Sequence, residues 1–376
     1  MMRYIKKYGL FTALLVFLIL CFTFPALAEE NGKSELYKRQ YENSGAAEIE
    51  SSLPKEVASL LGDIGFDLSN PDIIFKADGE RIISLFTDFF TEGIKAPIKT
   101  TLSIIGILLI FASFDGIAEK IPSAEMGIFA CFVASLVATA PVYTVMDVVK
   151  TAIQSLSTFM LSFVPIYAGI MLSSGNSAAA GGFSTILLMA AEAVSYLISY
   201  FFVPISGVVL CLGICGGISP VAGISRLSEW IKKTANWAMG ISTTVFLGIL
   251  SLQNTFLAAS DGLALRTSKV MLSTTIPIMG PAIAETITTA RGCLNLLRSG
   301  AGIYAVAAII IVALPVIIQL FLWRISMWIT AGVAEIFGIM PVEKLLRSVD
   351  FCLSVLFSSV FFTVILFIIS LAVGAG

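Results

Sequence analysis

Glu192, in "LLMAAEAVSYLIS", is an acid near the middle of an apolar stretch long enough to cross a membrane. Glu335, in "ITAGVAEIFGIM", is a second. An ionisable group placed there is expensive to bury, and such groups usually line a path or pair with a partner. The sequence leaves two readings of Glu192 open: lining a polar path or pairing across helices, or a protonated structural acid. No base is expected at its depth, which speaks against a proton relay. The chain has no histidine, the commonest general base and metal ligand. Neither GxxxxGK[ST] nor HExxH occurs. Cys21, Cys131, Cys211, Cys215, Cys293 and Cys352 include no CxxC pair. No catalytic, cofactor-binding or metal-binding residue is therefore predicted, and the protein is read as non-enzymatic.

The elements that must position these acids follow from composition. Of 376 residues, 57% are hydrophobic and 13% charged, with mean hydropathy +0.95. Soluble proteins are about a quarter charged, so the fold class is all-α, a polytopic helical membrane protein whose first partner is the lipid bilayer. A net charge of −2 argues against nucleic acid. The N-terminus carries Arg3, Lys6 and Lys7, then an apolar run, then Ala26-Leu27-Ala28. This reads as a signal peptide over 1–28, cleaved between Ala28 and Glu29. Residues 29–99 hold 14 acids and 8 bases, a net of −6, and read as an acidic extracytoplasmic segment. Its start is expected to be poorly ordered. Its end, "GERIISLFTDFFTEGIKAP", reads as an amphipathic surface helix.

Residues 100–376 then divide into about eight to ten spans, near 101–118, 126–147, 152–172, 183–202, 204–220, 238–259, 270–289, 301–322, 325–341 and 352–373. Pro165, Pro204, Pro277 and Pro315 fall inside them and are expected to break or kink the helices. "GISPVAGISRLSE" (217–229) aligns with "GIMPVEKLLRSVD" (338–350), consistent with a parallel duplication of a four-span unit over 152–260 and 270–374. With the mature N-terminus outside, eight Lys/Arg fall in inner loops and four in outer ones. Lys150 and Arg324 are assigned to outer loops. "SRLSEWIKKTANWAMG" reads as an inner interfacial helix, with Arg226, Glu229, Lys233 and Asn236 on one face and Leu227, Trp230, Ile231 and Trp237 toward the other. Arg226, Trp230, Lys233 and Trp237 are the candidate contacts there.

The stretch "LGILSLQNTFLAASDGLALRTSKVMLSTTIPIMG" (247–280) resembles the signature region of the stage III sporulation protein AE family. Gln253, Thr255, Asp261, Gly262, Leu265, Arg266, Thr267, Lys269, Pro277 and Gly280 carry the resemblance. "FVPIYAGIMLSSGNSAAA" (163–180) is similar to the family's proline-then-small-residue segment. The resemblance implies a component of the channel-like complex between mother cell and forespore, seated in the mother-cell membrane around the forespore. It implies partners from the same operon, including a cytosolic ATPase and ring-forming membrane proteins. It supplies no catalytic residue. Asp261, Gly262, Arg266 and Lys269 are expected in an outer loop that meets a partner or clamps the chain itself. The other function class is a secondary transporter of a small solute that uses Glu192.

Overall fold

The computed structural model describes residues 55–65, 79–115, 123–173, 177–219, 226–246 and 280–375, with a few shorter pieces; for 280–299 only the helix path is described. The signal sequence with Ala28 and Glu29, the loop bearing Asp261, Gly262, Arg266 and Lys269, and Pro277 lie outside the described residues.

No strand occurs among the described residues. We name the helices α1 (Lys55–Ile64), α2 (Gly79–Asp115), α3 (Ser123–Ser173), α4 (Ser177–Leu197), α5 (Val203–Ile218), α6 (226–246), α7 (Gly280–Ile336) and α8 (Met340–Ala375). A π-turn, Ile198–Phe202, joins α4 to α5 without a break. Among the described residues, five helices are long and apolar enough to cross a membrane. Several pairs of the expected spans are single helices, while the expected spans at 238–259 and 270–289 lie partly outside the described residues. The segments at 126–147 and 152–172 are both α3, and those at 301–322 and 325–341 belong mainly to α7. Hydropathy falls at Lys150 and Arg324, but lysine and arginine are good helix formers. With no turn residue beside them, neither ends its helix. The amphipathic segment before residue 99 and the span after it are likewise one helix, α2.

Two of the prolines do not break their helices. Pro165 and Pro315 lie inside continuous helices, as do Pro97 and Pro141. Each removes one donor from a helix held along its length by packing, which is too little to end it. Pro204 does alter its helix. It follows the π-turn, where Val203 N–H donates to the Ile198 carbonyl. Widening the turn there relieves the clash between the ring and the preceding carbonyls.

α7 and α8 form an antiparallel hairpin at the centre. Gly338 turns it with φ +71°. Ile339 N–H donates to Ala334 O at 3.0 Å, and Gly338 N–H to Glu335 O at 3.0 Å, closing the carbonyl end of α7. A β-carbon at that φ is strained, so Gly338→Ala should lower stability by about 1 kcal/mol. Thermal unfolding of the purified protein in detergent measures this, and an unchanged midpoint would refute it. Around the hairpin, α2 packs on α7, α5 on α8, and α3 on both. α2 and α7 are joined by Ser326, whose hydroxyl donates to Pro97 O at 3.1 Å and touches that of Thr101. The α3 face toward the core packs Phe159 against Phe163 as a tilted pair at 5.5 Å and stacks Phe163 on Tyr167 at 5.2 Å between centroids.

The acidic segment is less detached than its composition suggests. Ala46, Ile49 and Leu61 are fully buried, and α1 packs on α7. These apolar residues reach the bundle, while Asp63 and Arg81 stay largely exposed.

Candidate functional site: a charged groove between α3 and α4

α3 and α4 are joined near 174–176 and lie antiparallel, with Ser157 Oγ donating to Ala191 O at 3.3 Å. Counting outward from that contact, each step forward on α3 faces a step back on α4. Polar residues recur on both. Lys150, Gln154 and Thr158 stand at i, i+4 and i+8 on α3, one stripe of a 3.6-residue helix. On α4 and the π-turn, Glu192, Tyr196 and Ser199 stand at i, i+4 and i+7, with Ser195 and Tyr200 beside them. The two stripes line one cavity of about 430 Å³, completed by Ser157 and Leu161.

Glu192 is exposed on this groove, so it is not a buried structural acid within the single chain. Lys150, expected in an outer loop, supplies the base that the sequence reading lacked. Tyr196 and Tyr200 pack as a tilted pair with 4.6 Å between centroids, and both rings are mostly exposed. Ser199 Oγ is shielded from solvent and has no hydrogen-bond partner among the described residues. That is a costly state unless something fills the groove. Such a surface can solvate a polar group at a depth where apolar helices otherwise face lipid. With one carboxylate and no histidine or cysteine, it offers no set of metal ligands.

Most of these residues were missed because Lys150 ended a hydropathy window. The signal was the i, i+4, i+8 run of Lys150, Gln154 and Thr158 facing a similar run from Glu192.

The other sequence-derived candidates lie elsewhere. Glu335 is at the carbonyl end of α7, exposed, and pairs with Arg347 at 2.9 Å, which also meets Glu343 at 2.6 Å. Arg226, Trp230, Lys233 and Trp237 share a single exposed stripe of α6, with Trp230 65% and Trp237 70% exposed. The tryptophans and the charges are thus on one face, where opposite faces were expected. The inward face belongs to Ser228, Ala235 and Lys232. Lys232 Nζ donates to Ser348 Oγ at 3.2 Å and lies 5.4 Å from the Phe351 ring centroid. Beside it, Arg324 pairs with Asp350 at 3.2 Å, both largely buried. Packing chose Lys232 over its neighbour Lys233 because α8 offered a hydroxyl and a ring face there.

These features define an all-α, polytopic helical membrane protein whose lipid-length helices carry a charged groove. Residues 72–376 match the stage III sporulation protein AE family, and the chain belongs to that family. A 226-residue stretch is 25% identical to stage III sporulation protein AE of Bacillus subtilis (strain 168), covering 59% of this chain and 56% of that protein. The aligned part thus spans little more than half of the relative. No solved structure matches.

Proposed function

We propose that the protein is a non-enzymatic membrane component of the mother cell–forespore channel complex, seated in the mother-cell membrane around the forespore. Energy would come from a partner ATPase, and the exposed stripe Arg226, Trp230, Lys233 and Trp237 is the surface offered to that side. The observation that carries this reading is the charged groove between α3 and α4. A helix face bearing Lys150 and Glu192 is poorly suited to lipid and well suited to a hydrated path or a polar subunit contact.

Orientation supports it. The α2–α3, α5–α6 and α7–α8 connections fall at one end of the bundle, since Phe111, Met126, Gly217 and Met340 line one cavity there. Lys120, Arg226, Lys233, Lys344 and Arg347 cluster in sequence at those connections. By the positive-inside rule this end faces the cytoplasm. Residues 260–269, with Asp261, Gly262, Arg266 and Lys269, lie outside the described residues, and we assign them to the opposite side as the contact for ring-forming partners.

Glu192→Gln should reduce heat-resistant spore yield by about tenfold or more, as expected for loss of one functional intramembrane carboxylate. Protein level in the membrane fraction should be unchanged. Wild-type spore counts at wild-type protein level would sink the reading. A secondary transporter would use the same acid and base, and it predicts solute uptake by the purified protein alone in vesicles. The channel component predicts none without its partners.

A further inference from the structure

We infer that lipid covers only the cytoplasmic part of this bundle, and that its outer part stands in water as a helical body about 40 Å tall. The edge of the lipid runs through Lys95, Asp147 and Tyr196. This goes beyond the channel role and takes from it only which end faces the cytoplasm.

Length comes first. α3 is one helix of 51 residues, about 77 Å at about 1.5 Å per residue. The hydrocarbon core is about 30 Å thick, and at a steep tilt of about 40° it still takes up only about 39 Å of helix. A large part of α3 therefore lies outside it. The exposed face shows which part. From 126 to 143 the residues facing out are Phe129, Phe132, Val133, Leu136, Ala140 and Tyr143. From 144 to 164 they are polar, from Thr144, Asp147 and Lys150 to Gln154, Thr158 and Ser162, with Leu161 the apolar exception. In that outer stretch the bulky apolar side chains, Phe159 and Phe163 among them, are buried instead. An apolar exterior suits lipid, and a polar exterior over an apolar interior suits water.

Three helices give the same edge. Phe111, Met126 and Ile218 line one cavity, so α2, α3 and α5 share a level at the cytoplasmic end. Counted outward, Asp147 is 22 residues from Glu125 on α3, and Tyr196 is 22 residues from Ile218 across α5 and the π-turn. Lys95 is 20 residues from Asp115 on α2. These lengths are about 33, 33 and 30 Å, one hydrocarbon core each. Lys99, one turn nearer the cytoplasm, reaches the same edge along its own stem. Tyr143 and Tyr200, both exposed, stand about a turn inside it, where tyrosines concentrate. Arg324, Asp350 and Lys232 fall between the edges, and they turn onto one another or onto α8.

The acidic segment marks the outer side independently. Arg81 pairs with Asp63 at 3.7 Å, and both are exposed. Arg81 is 14 residues outward of Lys95 on α2, about 21 Å. A charged helix held at that height and packed on α7 requires water there. Ala301, Tyr304, Ala305 and Ala308 of α7 are buried and lie 28 or more residues from Ile336. They form the core of the outer body, which explains their hydropathy without a second crossing. Lys150 and Glu192 are about one turn beyond Asp147 and Tyr196, so the groove opens within the outer headgroup layer.

The test uses the full chain in lipid vesicles, with single cysteines in a background whose six native cysteines are replaced. Each new cysteine carries a nitroxide, and its collisions with oxygen and with a water-soluble nickel chelate are read by electron paramagnetic resonance. Leu136→Cys, Leu172→Cys and Met189→Cys decide, because all three side chains are large, apolar and exposed. Position 136 should meet oxygen and little nickel. Positions 172 and 189 should each meet nickel at least about fivefold more often, since a polar complex is excluded from hydrocarbon. Either of them reading like position 136 overturns the inference. A hydrated path inside the membrane would admit nickel at Gln154→Cys but not at Leu172→Cys or Met189→Cys, so that reading is separated. Should the cysteine-free background not fold, the unmodified protein is imaged in a planar bilayer by atomic force microscopy. One face should then stand at least about 30 Å above the lipid, and a lower protrusion overturns the inference. Spore yield plays no part in either measurement, so failure here is distinct from failure of the channel role.

Discussion

Gly217→Val is expected to leave little folded protein in the membrane. α5 crosses α8 and α3 closely through Gly213 and Gly217, one turn apart. A β-carbon at Gly217 would come within 2.9 Å of the Pro341 carbonyl oxygen and would collide with Cys131 Sγ. A β-carbon at Gly213 would collide with Ser348 Cβ. The Pro341 oxygen belongs to the first turn of α8 and cannot rotate away, so the helices would have to separate. Small residues four apart allow such close approach in membranes, where packing supplies much of the helix–helix attraction. A branched side chain there should destabilise by about 3 kcal/mol or more. Trimming the cysteine in a Cys131→Ala background should not restore it, because the backbone contact persists. Gly207 has open space around the β-carbon position, so Gly207→Val is the control and should shift the midpoint little. Membrane yield and thermal midpoint decide, and equal behaviour of the two variants would refute the close crossing.

Asp350→Ala should rank next. Arg324 and Asp350 are 20% and 29% exposed and bind at 3.2 Å. The guanidinium also sits 5.7 Å from the Phe357 ring centroid. Removing the carboxylate leaves Arg324 largely buried beside Lys232 with no acid between them. An uncompensated charge in such a place costs about 3 kcal/mol. The double change Arg324→Gln with Asp350→Asn should recover part of the loss, since both charges then leave together. Glu335→Gln breaks a pair that is 45% and 58% exposed and should cost less than about 1 kcal/mol. Unfolding midpoints in detergent rank the three. Asp350→Ala as mild as Glu335→Gln would remove this pair from the account of stability.

The contrast between Lys232 and Lys233 shows where reading residues in order runs out. They are neighbours of the same type on the same helix. Only the position of α8 turns one toward Ser348 and Phe351 and leaves the other exposed. Glu335 and Glu192 part in the same way. Both stand in apolar sequence, yet Glu335 lies at a helix end against Arg347, while Glu192 opens onto a groove shared with Lys150.

What the residues determined unaided was helix, membrane and family. Apolar runs of spanning length, a low charge fraction and the "DGLALRTSK" block are local in the chain, and hydrophobic transfer acts on each stretch without reference to any other. The positions of the glycines and of the polar stripes were equally legible, though not their meaning. Tertiary structure decided which charges are paired and that Lys150 meets the same cavity as Glu192. Those outcomes depend on contacts between residues as near as 12 and 26 positions and as far as 116 positions apart, and a side chain's neighbours across such distances are set by packing, which no one-dimensional pattern contains.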